Sequence, residues 1–344
     1  MKNRAIKLTM PFALFMLMGA SNVMARGLSV ESLQAISSMV SNANSVIETT
    51  KNIAPQVLAQ NNQSVRNAAT NTKQPGLCPE HYPLGIPVVI SVERDKVERR
   101  SFYLCRAGYA LQFDPATKTP LWVAERLTNE QLGAEREDRT DDFRPDPDIP
   151  APAQASLNDY RGSKFDRGHM APAADMGGKG ASAMSESFYL TNMIPQVGPN
   201  QNRGIWADLE GSVRQWAKQR GEVLVITGPI YGNNPVVMGK SKVLVPTHLY
   251  KVVLDPKNYQ SVAYIVPNAQ IVTRRTRTLD EGNPQYPQTL PTSKVDCGSV
   301  CTIDNFAVPI RSVEQVTGLR FFSNINNKDY SIVNEKIYGN WKPR

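Results

Sequence analysis

Three histidines occur in the 344 residues, and one of them stands where proton chemistry could be done. Asp166-Arg167-Gly168-His169 lies within "YRGSKFDRGHMAPAADM", between aromatic residues and a small-residue turn. An imidazole with an ordinary pKa of ~6.5 exchanges its proton near neutral pH. Further along, "TNMIPQVGPNQNRGIWADLE" crowds Asn192, Gln196, Asn200 and Asn202 ahead of a helix that carries Glu210. An amide oxygen is a hard ligand that suits a divalent cation such as Mg²⁺.

These side chains need elements to hold them. His169 closes a strand-like stretch. The helix expected through "IWADLEGSVRQWAKQR" places Trp206, Leu209, Val213 and Trp216 on one face. On a projection of ~100° per residue, Asn202 falls over Leu209 and Val213, with Glu210 at the edge of that face. A polar amide on a buried side needs partners or a ligand. Around this centre lie short β-rich runs: "IPVVISV", "SFYLC", "YALQF" and "LWVAERL" before it, "EVLVIT", "KVLVP", "LYKVVL" and "SVAYIV" after it. Strands and helices without regular alternation predict an α+β fold. There is no internal repeat and no glycine-rich phosphate loop.

The length suits one large domain or two ordinary ones, and 41% hydrophobic residues suffice for a core. Lys2, Arg4 and Lys7 precede a short apolar run that ends in small residues at Val23 and Ala25, the pattern of a secretory signal peptide spanning residues 1–25. Its removal takes away three positive charges and no negative ones, so the net charge falls from +8 to +5. A modestly basic exported chain suits a polyanionic partner. Residues 26–75 are rich in Ser, Asn, Ala and Gln, with Leu33, Ile36, Val40 and Ile47 at helical spacing. They are expected to form a helical N-terminal extension or linker ahead of a domain over residues 76–344. Export favours disulfides. Four cysteines allow three pairings, of which Cys78–Cys105 with Cys297–Cys301 is favoured over a zinc site.

"DRGHMAPAADM", "NMIPQ" and "NRGIWADLE", with "TPLWVAERL" and "DRTDDFRPD" upstream and "GPIY", "VPTHLYKVV" and "VPIRSVEQVTGLRFF" downstream, come in an order that resembles the DNA/RNA non-specific endonuclease family. These are the Serratia-type and endonuclease G nucleases of the ββα-metal superfamily. The resemblance covers roughly residues 78 to 325. It implies a ββα-metal core with a central, mostly antiparallel sheet flanked by helices. It also implies hydrolysis of phosphodiester bonds in DNA and RNA with little sequence preference, leaving 5′-phosphate ends.

By the same resemblance His169 is the general base and Asn202 the one protein side chain directly on the metal. Glu210 holds water of the metal's shell, Arg139 and Arg167 contact phosphate, and Asn192 supports the site. Asn200 is the competing ligand, and the spacing to Trp206 and Glu210 favours Asn202. The implied cofactor is Mg²⁺, with Mn²⁺ as a substitute. Implied partners are DNA and RNA, a second copy of the chain in a homodimer, and an inhibitor protein. Localisation is periplasmic or secreted. A nucleic-acid-binding module that has lost catalysis, and a nuclease toxin, remain as alternatives. His81 and His248 are expected to be structural, Asp166 to pair locally, and "TRRTR" (Arg274, Arg275, Arg277) to be a solvated loop.

Overall fold

The strands that bury both faces are written as nearly unbroken apolar runs, and in the computed structural model they build one seven-stranded sheet. The structure describes residues 78–90, 100–232, 236–272, 295–296, 301–335 and 341. The expected signal peptide, the extension over 26–75, Cys297 and Arg274, Arg275 and Arg277 lie outside the described residues. The sheet strands are β1 (Phe102–Cys105), β2 (Ala110–Asp114), β3 (Thr119–Thr128), β6 (Glu222–Ile230), β7 (His248–Asp255), β8 (Gln260–Pro267) and β9 (Ala307–Val308). A separate pair, β4 (Phe165–His169) and β5 (Met193–Val197), falls between β3 and β6 in the chain. The spatial order is β9-β8-β7-β6-β3-β2-β1, and every neighbouring pair is antiparallel. The expected α+β class, with a central antiparallel sheet flanked by helices, is what forms.

Alternation along a strand sends successive side chains to opposite faces. In β6, Val223 and Val225 join one apolar cluster and Leu224 and Ile226 the other. The first face is covered by α1 (Asn129–Gly133) and α2 (Ala207–Arg220), the second by α3 (Ile310–Thr317). Trp206, immediately before α2, and Leu209, Val213 and Trp216 on it face the sheet, all at most 1% exposed. Each such side chain contributes ~1.5–3 kcal/mol by leaving water, so this stripe alone fixes the helix that the site depends on. Cys78 is bonded to Cys105, as expected, and this ties the first described turn to the end of β1. Cys301 is also in a disulfide, while its expected partner Cys297 lies outside the described residues.

Candidate active site

The ββα arrangement is built from β4, β5 and the helical stretch that follows. β4 and β5 run antiparallel, with Asp166 opposite Gln196 and His169 opposite Met193. The glycine of the Asp-Arg-Gly-His run has a steric reason: a Cβ on Gly168 would stand 1.9 Å from Gln196 Oε1. Gln196 uses its Nε2 to donate to Gln201 Oε1 at 2.8 Å, tying the strand pair to the helix entrance. Asn268 pins the other side, accepting from the Val197 N–H and donating to the Pro195 and Pro246 carbonyls.

The helix does not begin as a regular α-helix. Gly198–Trp206 forms a wider π-helical segment before α2 starts. A turn closed by i→i+5 bonds holds more residues than an α-turn, so the 100° projection overrotates here. Gln201, not Asn202, takes the fully buried position. Asn202 is half-buried and turns toward a cleft of about 620 Å³ that His169, Arg139, Arg167, Asp166 and Arg203 also line. The side chain of Asn200 is outside what the structure describes.

His169 sits between two aromatic rings. Phe143 is 5.5 Å away and Phe188 5.1 Å, both edge-on. Its Nε2 is buried, and no partner reaches it among the described residues. Burial pushes the imidazole down to about 3, and the Arg139 and Arg167 charges push the same way. The free ring is therefore neutral, the form that a general base needs, throughout the neutral range. Arg167 stacks 3.9 Å over Phe143 and Arg139 4.9 Å over Phe188. The two phenyl faces thus hold both the base and the two cations. The loop that carries Arg139 and Phe143 is fixed by Arg144, which pairs with the 188–190 backbone. A two-oxygen grip of Arg106 on buried Asp146, at 2.6 Å to each oxygen, anchors it further.

Asp166, expected to pair locally, pairs instead with residues 36 and 37 positions further along the chain. Its carboxylate accepts from Asn202 Nδ2 at 2.9 Å and from Arg203. An ionised carboxylate only accepts hydrogen bonds, so the amide must turn its NH₂ to Asp166. The Asn202 carbonyl oxygen is left over, with no donor on it among the described residues. That is the donor type a hard divalent cation takes.

Two other expected site residues are not among those that line the cleft, Asn192 because it is buried behind it and Glu210 because it stands half-buried on α2. Asn192 is fully buried and satisfied: its Oδ1 accepts from the Ala171 N–H, and its Nδ2 donates to the Ala171 and Ser187 carbonyls, each at 2.9 Å. It fixes the chain just beyond His169. Glu210 faces a buried charged group beneath α2. Burial pushes its carboxyl up to about 7, with Lys251 pulling down and Asp175 pushing up. Glu125, Thr227 and Lys251 come from three adjacent strands on the same sheet face, and Lys251 Nζ donates to Thr227 Oγ1 at 2.7 Å. The Phe143 and Phe188 walls and Arg203 were not singled out in the sequence. Phe143 stands four residues after Arg139 in "DRTDDFRPD", and that proximity was the available signal.

The other histidines are structural. His81 closes a short 3₁₀ turn and bonds the Arg106 carbonyl at 2.9 Å. His248 begins β7, and burial lowers it to about 4. The folded state thus disfavours the charged form. Its contribution to stability is complete above pH ~6.5 and is lost as pH falls toward 4. His248→Gln is expected to melt progressively higher relative to the wild type as pH drops from 6.5 to 4, with a constant difference above 6.5. A difference that is flat across the whole range would refute this.

A model of the family described as DNA/RNA non-specific endonuclease matches residues 93–328. The chain belongs to the DNA/RNA non-specific endonuclease family. It is a nuclease-family enzyme, and the family is metal-dependent. The chain is 36% identical over 236 residues to the mitochondrial nuclease 1 of Schizosaccharomyces pombe, a match that covers 63% of this chain and 65% of that one. Against nuclease C1 of Cunninghamella echinulata var. echinulata it is 35% identical over 240 residues, covering 65% and 84%. Against mitochondrial endonuclease G of Homo sapiens the figures are 36% over 233 residues, 64% and 69%. A chain solved in the EndoG/EndoGI complex, a study of EndoG inhibition, superposes with a TM-score of 0.53 at 31% identity, covering 70% of this chain and 95% of that one.

Proposed function

We propose that this chain is an exported, Mg²⁺-dependent endonuclease that hydrolyses phosphodiester bonds of DNA and RNA with little sequence preference. The observation that carries the reading is the pairing of a neutral histidine with an amide oxygen left open by Asp166, in one cleft walled by two arginines. His169 takes the proton of the attacking water. Arg139 and Arg167 offer fixed, planar N–H donors to the phosphoryl oxygens. Asn202 would hold Mg²⁺ through its carbonyl oxygen, and Glu210 would do so through the ion's hydration shell. When bound, Mg²⁺ neutralises phosphoryl charge and stabilises the leaving 3′ oxygen, so that the products carry 5′-phosphates. Mn²⁺ is the expected substitute, since it takes the same oxygen donors. Asn192 acts from behind, by holding residue 171 and so His169.

Export rests on the leader-like residues 1–25 and on the Cys78–Cys105 bond, which suits an oxidising compartment. It places the protein in the periplasm or outside the cell, whereas the yeast and human relatives are named as mitochondrial. Residues 26–75 then form an extension ahead of a nuclease domain over 76–344. No described helix is long and apolar enough to cross a membrane. The likeness to a chain solved in an EndoG/EndoGI complex supports an inhibitor protein as a partner; a second copy of the chain is the other partner proposed.

The test is cleavage of supercoiled plasmid and of RNA by the purified chain with Mg²⁺, beside EDTA. Loss of both substrates only with Mg²⁺ is expected. Intact substrates with a gel shift would instead indicate a binding module. A sharper prediction concerns Asp166. Asp166→Ala frees the Asn202 amide to rotate, and losing such an outer partner typically weakens metal affinity ~10–100-fold. The Mg²⁺ concentration giving half-maximal cleavage should rise by that factor. An unchanged midpoint would remove Asp166 from the metal's support.

A further inference from the structure

We propose that the cleft between α1 and α2 is a second phosphate subsite, which takes the sugar-phosphate backbone of the bound nucleic acid a few nucleotides from the scissile bond. The inference rests on the nuclease reading and extends it beyond the catalytic cleft. The cleft, about 380 Å³, is lined by Leu132, Arg136, Gly211, Arg214, Gln215 and Lys218. Three of these six are cations and none is a carboxylate. Lys218 is exposed and has no carboxylate partner among the described residues. Arg136 and Arg214 are each held by one N–H. Arg136 donates to the Ala174 carbonyl at 2.9 Å, and Arg214 to buried Asp175 at 2.7 Å. A guanidinium has five N–H donors, so each is oriented with donors to spare.

Two independent connections tie this cleft to the catalytic one. Arg136 lies three residues before Arg139 in the same loop. On α2, Glu210, Arg214 and Lys218 succeed one another a turn apart, which at ~1.5 Å per residue spans about 12 Å from Glu210 to Lys218. A B-form strand rises ~3.4 Å per nucleotide, so this distance corresponds to a few nucleotides.

Gly211 is the second kind of evidence. It sits inside α2, where glycine costs ~1 kcal/mol relative to alanine. A Cβ there would meet only Arg214 Nη2, at 3.8 Å. Packing therefore does not require glycine. Its effect is to leave the cleft floor bare, so that a bulky polyanion can come close to the helix between the cations.

The test uses Lys218→Gln and the double variant Arg136→Gln/Lys218→Gln in the full chain, with a labelled 20-base-pair duplex as probe. Affinity is read by fluorescence anisotropy at several salt concentrations with EDTA present, so that the result does not depend on cleavage. Each phosphate contact contributes a slope of ~0.9 to log K against log salt. The slope should flatten by about one unit for the single variant and about two for the double. The duplex should bind roughly 3- to 10-fold and 10- to 100-fold more weakly at low salt, in keeping with that slope. The preference of kcat/KM for the duplex over a hexanucleotide should shrink in parallel, with unchanged melting points. Slopes and affinities equal to those of the wild type overturn the subsite, including the case where the variants lose only an acidic inhibitor protein. Wild-type binding without any cleavage would instead overturn the nuclease reading, and the slopes would still decide the subsite.

Discussion

His169→Ala is expected to lower kcat on DNA and RNA alike by ~10²–10⁴-fold, the usual contribution of a positioned general base. The expectation draws on where the ring is held. Phe143 and Phe188 fix it edge-on, and burial with two flanking arginines leaves it neutral down to about pH 3. The sign of the pH effect follows. Protonation of His169 abolishes the base, so kcat/KM should fall only well below the 6.5 of a free histidine and stay level across the neutral range as far as this group is concerned. Arg139→Gln removes one positive neighbour, which makes the charged imidazole less unfavourable. The acid limb should then move toward neutrality, by less than burial accounts for, since burial is the larger cause. Alanine also empties a site between two rings, so His169→Asn serves as the control for packing. If His169→Ala cuts as fast as wild type, or if the limb stays fixed in Arg139→Gln, the base lies elsewhere.

The sequence made the strands and the main helix legible for a simple reason. A sheet covered on both faces needs apolar residues at nearly every strand position, and "EVLVIT" and "LYKVVL" became β6 and β7. The Trp206, Leu209, Val213 and Trp216 stripe stands as expected, because α-helical periodicity is intact from Trp206 onward. It failed one turn earlier. The π-helical segment has a different period, so it moved Gln201 inward and Asn202 to the cleft, and no local residue type announces such a widened turn. Asn192 shows a different limit. It looks like a site residue by type and place, yet every polar atom of its side chain is spent on backbone. The aromatic walls were hidden for a third reason: Phe143 and Phe188 are far apart in sequence and meet at His169 only through the packing of two loops.

Lys251→Met is the substitution expected to cost most in stability. Lys251 is 1% exposed in the middle of β7, between Leu249 and Val253, on the face that meets α2. Its ammonium donates to Thr227 and lies 5.0 Å from the centre of the Trp206 ring. Burial lowers its pKa, while Glu210, Glu125 and Asp175 favour its charge. Removing one member of a buried charged group leaves the rest uncompensated, at a cost of ~3–5 kcal/mol. For a domain of this size that is a fall in melting point on the order of 10 °C. The loss should not be additive. Glu125 is already pushed up to about 8 by burial, and Glu125→Gln makes it permanently neutral. Above about pH 8, where Glu125 is ionised in the wild type, the double variant Lys251→Met/Glu125→Gln should therefore be more stable than the sum of the two single losses. Function should follow the same charge. Without Lys251 the Glu210 carboxyl loses the cation that lowers it most and rises above about 7, so it stays protonated at neutral pH and is a poorer acceptor for the hydration shell of a metal. Lys251→Met should need a higher pH to reach its best rate, whereas a purely structural lysine would lower the melting point and leave that profile in place.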